Sequence, residues 1–119
     1  MTDTNLLEET LQVLATNGKT PADVLWCGSP DFYFTWQDFV VVADTANYYS
    51  GFGSQEVACD LLVVGENWWL ERYEYDGAER WEFKSLPVKP DTYNLPKRLS
   101  GGSGWISLLE QQKEEEQEY

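Results

Sequence analysis

The dipeptide Asp76-Gly77 constrains the fold more than any other feature, because it separates two runs with strand-like alternation of side chains. Both central residues of the tightest hairpin turn take a positive φ, which Asp and Gly tolerate better than most residues. The sequence therefore predicts a β-hairpin in which residues 68–75 and 78–85 form paired strands.

A two-residue turn also sets the register of this hairpin and so separates its two faces. One face carries large apolar side chains and is predicted to pack on helices, while the other is predicted to face solvent or a partner. In this register Glu71 lies directly opposite Glu82. The packed face comprises Trp68, Leu70, Trp81 and Phe83, and the other comprises Trp69, Glu71, Tyr73, Tyr75, Arg80, Glu82 and Lys84.

Apolar periodicity predicts two helices before the hairpin. Leucines recur at helical spacing within residues 6–14, and Thr35 with Asp38 forms a capping-box pattern before a second apolar stripe that ends at Ala43. Extended apolar runs predict further strands, whose pairing no diagnostic turn defines. These runs are 24–27, 32–34 and 61–64.

Together these elements predict an α+β fold, with an antiparallel β-meander sheet of about four to five strands and two helices packed on one face. A chain of 119 residues is long enough for one sizeable core. We expect residues 1–109 to form a single globular domain and residues 110–119 to form an acidic C-terminal tail. Residues 47–60, rich in Gly and aromatic residues, are predicted to form a long ordered loop or a loop with a short helix.

The charge balance excludes several classes of function. The chain has 21 Asp and Glu, 8 Lys and Arg and no His, for a net charge of −13. Such a chain repels nucleic-acid backbones and anionic membranes, so direct binding to either is not expected. The absence of histidine removes Ser-His and Cys-His nucleophile pairs and most transition-metal sites. We therefore predict a protein that is not an enzyme and that uses no cofactor.

The cysteines and the glycine-rich segment do not indicate a metal or nucleotide site. Cys27 and Cys59 lack the spacing of a zinc site, and both are interpreted as small buried hydrophobic residues in a reducing cytosol. Residues 44–56 do not match a calcium loop, and Gly51 to Ser54 lack the lysine of a phosphate loop. The start of the chain lacks the pattern of a secretory signal or membrane anchor, which predicts a cytoplasmic protein.

The acidic residues are concentrated in one part of the chain. Residues 1–71 contain eleven Asp or Glu and a single cation, Lys19. Such self-repulsion is retained either for solubility, which is the commoner reason, or because a basic partner uses it.

Glu71 and Glu82 are the one carboxylate pair that invites a catalytic interpretation, because close carboxylates can share acid–base work. Paired carboxylates on a sheet are more often part of a solvated face, here with Arg72, Arg80 and Lys84 as neighbouring cations. Trp69, on the same face, is the best aromatic candidate for binding a ligand.

The segments VLWCGSPDFYFTW and SGFGSQEVACDLLVVGENWWLERYEYDGAERWEFKSLP resemble small acidic proteins of unassigned function that are encoded by phages and prophages of Gram-positive bacteria. The resemblance covers residues 24–87 and includes no catalytic signature, so it assigns no site residues. It implies a protein that acts in the cytoplasm of a bacterial host cell. By analogy, such proteins are similar in character to anti-CRISPR and anti-restriction inhibitors.

The leading hypothesis is a non-enzymatic phage protein that binds and inhibits a basic host protein, such as a nuclease or another DNA-binding protein. Imitation of DNA is one way in which such an acidic protein could inhibit it. One alternative is a carbohydrate-binding or hydrolytic domain that uses Trp69 with Glu71 and Glu82. Another is a virion structural or assembly protein. The predicted partner-binding residues are Asp38, Asp44, Glu56, Asp60, Glu66, Trp69, Glu71, Tyr73 and Glu82.

Overall fold

A computed structural model describes residues 3–51, 53–102 and 104–116 of the chain. These residues belong to two compact units, Met1–Pro87 and Val88–Tyr119. The boundary expected near residue 109 stays a prediction.

The first unit contains two helices and a five-stranded antiparallel sheet, with a further two-stranded sheet beside them, within the described residues. The α+β prediction is therefore confirmed. In chain order the elements are β1 (Thr4–Asn5), α1 (Leu6–Thr16), β2 (Val24–Gly28), β3 (Tyr33–Phe34), α2 (Trp36–Ala43), β4 (Asn47–Tyr48), β5 (Leu62–Gly65), β6 (Trp68–Tyr75) and β7 (Ala78–Ser85).

The strand order of the large sheet is β3-β2-β5-β6-β7. The β6–β7 hairpin has the predicted register, with Glu71 opposite Glu82 and Tyr73 opposite Arg80. Its turn residue Asp76 has the expected positive φ of 52°. The antiparallel pairing of β2 with β5, which the sequence left open, joins the β2–β3 hairpin to the β5–β6–β7 meander.

A bulge in β2 allows side chains near both ends of this strand to face the core. Val24 pairs with Gly65 and Trp26 pairs with Val64, so the register shifts at Leu25. Leu25 is 67% exposed, as expected for the extra residue of a bulge. The shift lets Val24 pack against the core, as Cys27 does, while Trp26 points to the opposite face.

The core lies between the two helices and one face of the sheet. Asn5 caps α1 by accepting a 2.9 Å hydrogen bond from the Glu8 amide, and Thr35 and Asp38 form the predicted capping box of α2. The helices contribute apolar side chains at helical spacing and the strands contribute alternate residues. The buried core residues are Leu6, Leu14, Cys27, Phe39, Ala43, Tyr48, Val63, Trp68, Leu70 and Trp81.

The segment predicted to be a long loop begins with a short strand instead. Asn47 and Tyr48 form β4, which pairs with β1 immediately before α1. The Leu6 amide extends this connection through a 2.9 Å hydrogen bond to the Ala46 carbonyl. Farther along the same segment, Cys59 is exposed, so the prediction that both cysteines are buried is wrong for Cys59 and right for Cys27. Cys59 lies in the connection before β5, outside the alternation that buries Cys27.

The second unit contains helix α3 (Leu108–Glu116). Ser107 and Glu110 cap its start reciprocally, through hydrogen bonds of 3.1 and 3.3 Å. Gln112 then binds the preceding segment, accepting from the Lys97 amide at 2.7 Å and donating to the Leu95 carbonyl at 3.2 Å. In the part of the chain that the structure describes, no helix is long and apolar enough to cross a membrane.

Candidate functional site

The sheet face opposite the helices is the candidate site. A row of directly opposed residues crosses four strands there, from Trp26 through Val64 and Trp69 to Lys84. Trp26, Val64 and Trp69 are only half-buried, whereas Trp68, Leu70 and Trp81 on the packed face are buried. This row therefore presents two indole rings with an aliphatic side chain between them.

A second row lies beside the first and carries the carboxylates. Leu62 pairs with Glu71, which pairs in turn with Glu82. The indole N–H of Trp69 donates a 2.7 Å hydrogen bond to Glu71 Oε1, which orients both side chains. A tryptophan held in this way loses less conformational freedom when a partner binds.

The cations of this face are already engaged with its own side chains. Lys84 Nζ lies 2.9 Å from Glu82 Oε1, and the guanidinium carbon of Arg80 lies 4.4 Å from the centre of the Tyr73 ring. The hydrogen bond to Glu82, together with the attraction of Glu82 and Glu71, raises the pKa of Lys84. The two carboxylates and two cations of the β6–β7 surface thus balance one another, so this face is aromatic and charge-paired rather than acidic.

An aromatic hollow adjoins Trp26 at the β2–β3 hairpin. Its volume is about 430 Å³, and its lining includes Trp26, Phe32 and Tyr33, with Asp31 as the charged member. Phe32 and Tyr33 are 68% and 73% exposed. Aromatic rings beside a carboxylate suit a cationic side chain, through attraction to the ring faces and to the carboxylate.

The structure brings together four of the predicted partner-binding residues and separates the other five. Trp69, Glu71, Tyr73 and Glu82 share the open face. The other five are all exposed and lie in three places away from this face. Asp38 and Asp44 lie at the start and end of α2 on the helical side, Glu56 and Asp60 lie between β4 and β5, and Glu66 lies in the β5–β6 turn.

Sequence reasoning missed a buried polar cluster on the packed face, formed by Glu9, Tyr48, Arg72 and Glu79. Arg72 Nη2 donates to Glu79 Oε1 at 2.9 Å and to the Tyr48 hydroxyl at 3.0 Å, and Nη1 lies 3.6 Å from Glu9 Oε2. Arg72 was expected to offset Glu71 and Glu82, and that expectation is wrong because its side chain lies on the other face. The alternation of β6 and β7 already placed Arg72 and Glu79 there; nothing in the sequence pointed to Glu9 or Tyr48.

Glu79 also holds the segment before β5. Its carboxylate accepts hydrogen bonds from the Glu56 and Val57 amides at 2.8 and 3.3 Å, and its amide donates to the Ser50 carbonyl at 3.0 Å. No described cavity is lined by the four members of this cluster. We interpret the cluster as structural, because it fixes one segment to the hairpin.

Burial sets the ionisation of two groups near the core. Burial, followed by the hydrogen bond to Glu9, raises the pKa of Tyr48 from 10.0 to about 12 despite the opposing effect of Arg72. Burial likewise raises the pKa of the Cys27 thiol from 9.0 to about 12. Both groups are therefore held in their protonated forms in the folded protein.

These shifts predict a loss of stability in alkaline solution. The folded protein keeps both protons at a pH where the unfolded chain releases them, so their contribution is complete below pH 9 and is lost progressively towards pH 12. We expect the free energy of unfolding in urea to fall between pH 9 and 11. Tyr48→Phe should flatten this fall above pH 10, whereas Tyr33→Phe, at a 73% exposed position, should leave it unchanged. If the free energy of unfolding fell equally steeply with pH in the wild type, Tyr48→Phe and Tyr33→Phe, the raised pKa of Tyr48 would not be a source of the alkaline instability.

Both carboxylates of the Glu71–Glu82 pair accept hydrogen bonds, Glu71 from the Trp69 indole and Glu82 from the Lys84 ammonium group. The described residues contain no group of three or more His, Cys, Asp or Glu side chains that could hold a metal ion.

Comparison of the chain with models of known protein families, with characterised proteins and with solved structures finds no match. The class of the protein is therefore defined by its own fold and surface, an α+β domain with an open, aromatic sheet face.

Proposed function

We propose that this protein binds another protein through the open sheet face, and that it does so without catalysis. The observation that carries the proposal is the row in which Trp26, Val64 and Trp69 lie side by side and half-buried across three strands. Aromatic residues with a firm orientation are the side chains that most often dominate the energy of protein interfaces. The adjoining hollow at Phe32 and Tyr33 extends the same surface.

The net charge of −13 supports a basic partner. The charges of the open face balance one another, so the attraction comes from the field of the whole chain. Such a field accelerates encounter with a positively charged protein and makes association sensitive to salt. In this proposal the electrostatic field of the chain attracts the partner. The row of Trp26, Val64 and Trp69 and the adjoining aromatic hollow then bind it.

The finer proposal is that the partner is a nucleic-acid-binding protein of a bacterial host, such as a nuclease, and that binding inhibits it. Its support is the acidity of the chain, with a net charge of −13. The resemblance of residues 24–87 to small acidic phage proteins is part of this proposal. Basic channels that accept nucleic acid are the host surfaces that a strongly acidic protein attracts best. The scattered positions of Asp38, Asp44, Glu56, Asp60 and Glu66 favour obstruction of such a channel by the bound domain over imitation of a phosphate backbone.

The test is affinity capture from a bacterial lysate with paired variants. The wild-type protein should retain a nucleic-acid-binding protein that is released by about 0.5 M salt and displaced by added duplex DNA. Trp69→Ala should lose it, because the anchor of the open face is removed. The control Val41→Ala, at a 74% exposed position on α2, should retain it.

Retention of the same protein by Trp69→Ala would overturn the assignment to the open face. A captured protein that DNA fails to displace would overturn the finer proposal and leave protein binding in place. Thermal unfolding of each variant verifies that a lost interaction is not a lost fold.

A further inference from the structure

An apolar cleft on the helical side of the first unit is separate from the open face. It has a volume of about 400 Å³ and lies between α1, β3, α2 and the residue before β5. Leu6, Phe34, Val42 and Leu61 contribute its apolar wall, and Asp38 is its charged lining residue. Its size is that of a site for a small ligand.

The lining determines which part of a ligand the cleft can accept. Its wall consists almost entirely of apolar side chains, so a polar group placed inside would lose its water without gaining a hydrogen bond. A hydrocarbon chain would instead remove apolar surface from water on both sides. Val42, which lines the cleft and is 70% exposed, is among the residues that such a chain would cover.

Charge determines which end group the ligand carries. The Asp38 carboxylate binds the amide of Thr35 through Oδ2 at 3.2 Å, and among the described residues it forms no ion pair with Lys or Arg. The single cation of residues 1–71, Lys19, lies 5.7 Å from the Trp68 ring and does not line the cleft. A positive end group near Asp38 would meet a complementary charge, whereas a carboxylate would be repelled.

We propose that this cleft binds a linear hydrocarbon chain with a positively charged end, of the class of long-chain primary amines. The chain occupies the space beside Val42 and Phe34, and the ammonium group lies near the Asp38 carboxylate. This binding site is independent of the proposed partner surface.

The experiment titrates the full chain with octylamine, octan-1-ol and sodium octanoate, followed by calorimetry and by the amide NMR signals of Val42, Ala43 and Leu61. Octylamine should bind and shift these signals, octanol should bind more weakly, and octanoate should bind least. Asp38→Asn keeps an oxygen that can cap α2 and should weaken octylamine about threefold without changing octanol.

Two neighbouring positions on α2 give a matched pair of variants. Val42→Lys places a cation in the cleft and should weaken octylamine at least about tenfold. Val41→Lys adds the same charge at an exposed position outside the lining and should weaken it much less. Both positions are largely exposed, so neither change should unfold the protein.

Equal affinities for octylamine and octanol would overturn the charged end group. Equal effects of the two lysine variants, or signal shifts elsewhere in the chain, would overturn the cleft. If the cleft were covered by a second copy of the chain, the wild type would sediment as a dimer and Val42→Lys as a monomer. That result would also overturn the proposal.

Discussion

Arg72→Ala is expected to lower the free energy of unfolding by about 3–5 kcal/mol, as happens when one partner of a buried ion pair is removed. The guanidinium is the cation of a buried cluster that contains the carboxylates of Glu9 and Glu79. Without it, two carboxylates with very little access to water would remain close together. The guanidinium carbon also lies 4.8 Å from the centre of the Trp81 ring, so that contact is lost as well.

Urea unfolding measures this effect, and Arg80→Ala is its control. Arg80 is the next arginine on the same hairpin, but it is exposed and lies over Tyr73 on the open face. Its removal should cost less than about 1 kcal/mol. If Arg72→Ala also lowered the free energy of unfolding by less than about 1 kcal/mol, the buried cluster would not be important for the stability of the fold.

Trp81→Ala is expected to be comparably destabilising, by about 3–5 kcal/mol. Trp81 is 3% exposed, and its indole N–H donates a 2.8 Å hydrogen bond to Thr10 Oγ1, which itself donates to the Leu6 carbonyl. The change would leave a cavity beneath α1 and remove a donor from a fully buried hydroxyl group. Trp81→Phe should cost less, because it keeps an aromatic ring in the core.

Trp69→Ala is the matched control for Trp81→Ala, since it removes the same side chain from the other face of the hairpin. We expect a clearly smaller loss, because Trp69 is only half-buried. Equal losses would contradict the assignment of the two faces. Because Arg72 and Trp81 are in contact, the double variant should lose less stability than the two single variants combined.

The parts of the fold that the sequence could predict are those governed by local rules. The Asp76-Gly77 turn determines the hairpin register because few dipeptides accept two successive positive φ angles. Thr35 and Asp38 predict the start of α2, because a capping box depends on two residues that are three positions apart. From the register alone, the open face with Trp69, Glu71, Tyr73 and Glu82 follows.

The remaining features depend on contacts between distant residues, which a local pattern does not encode. Glu9 accepts a hydrogen bond from the Trp81 amide, although 72 positions separate them. The polar character of Glu9 suggests an exposed helical position. In the fold its carboxylate instead lies beside Arg72 and also accepts a hydrogen bond from the Tyr48 hydroxyl. Val24 and Cys27 both face the core because of the bulge at Leu25, which uniform alternation along β2 would not predict.

The buried polar cluster of Glu9, Tyr48, Arg72 and Glu79 also affects the β7 edge of the sheet. β7 is an edge strand, and an edge strand ordinarily offers free amides on which a strand from another molecule can assemble. Here the Glu79 amide donates to Ser50 and the Trp81 amide donates to Glu9. The first half of that border is thereby occupied by the chain itself, which disfavours edge-to-edge aggregation there without requiring a further strand.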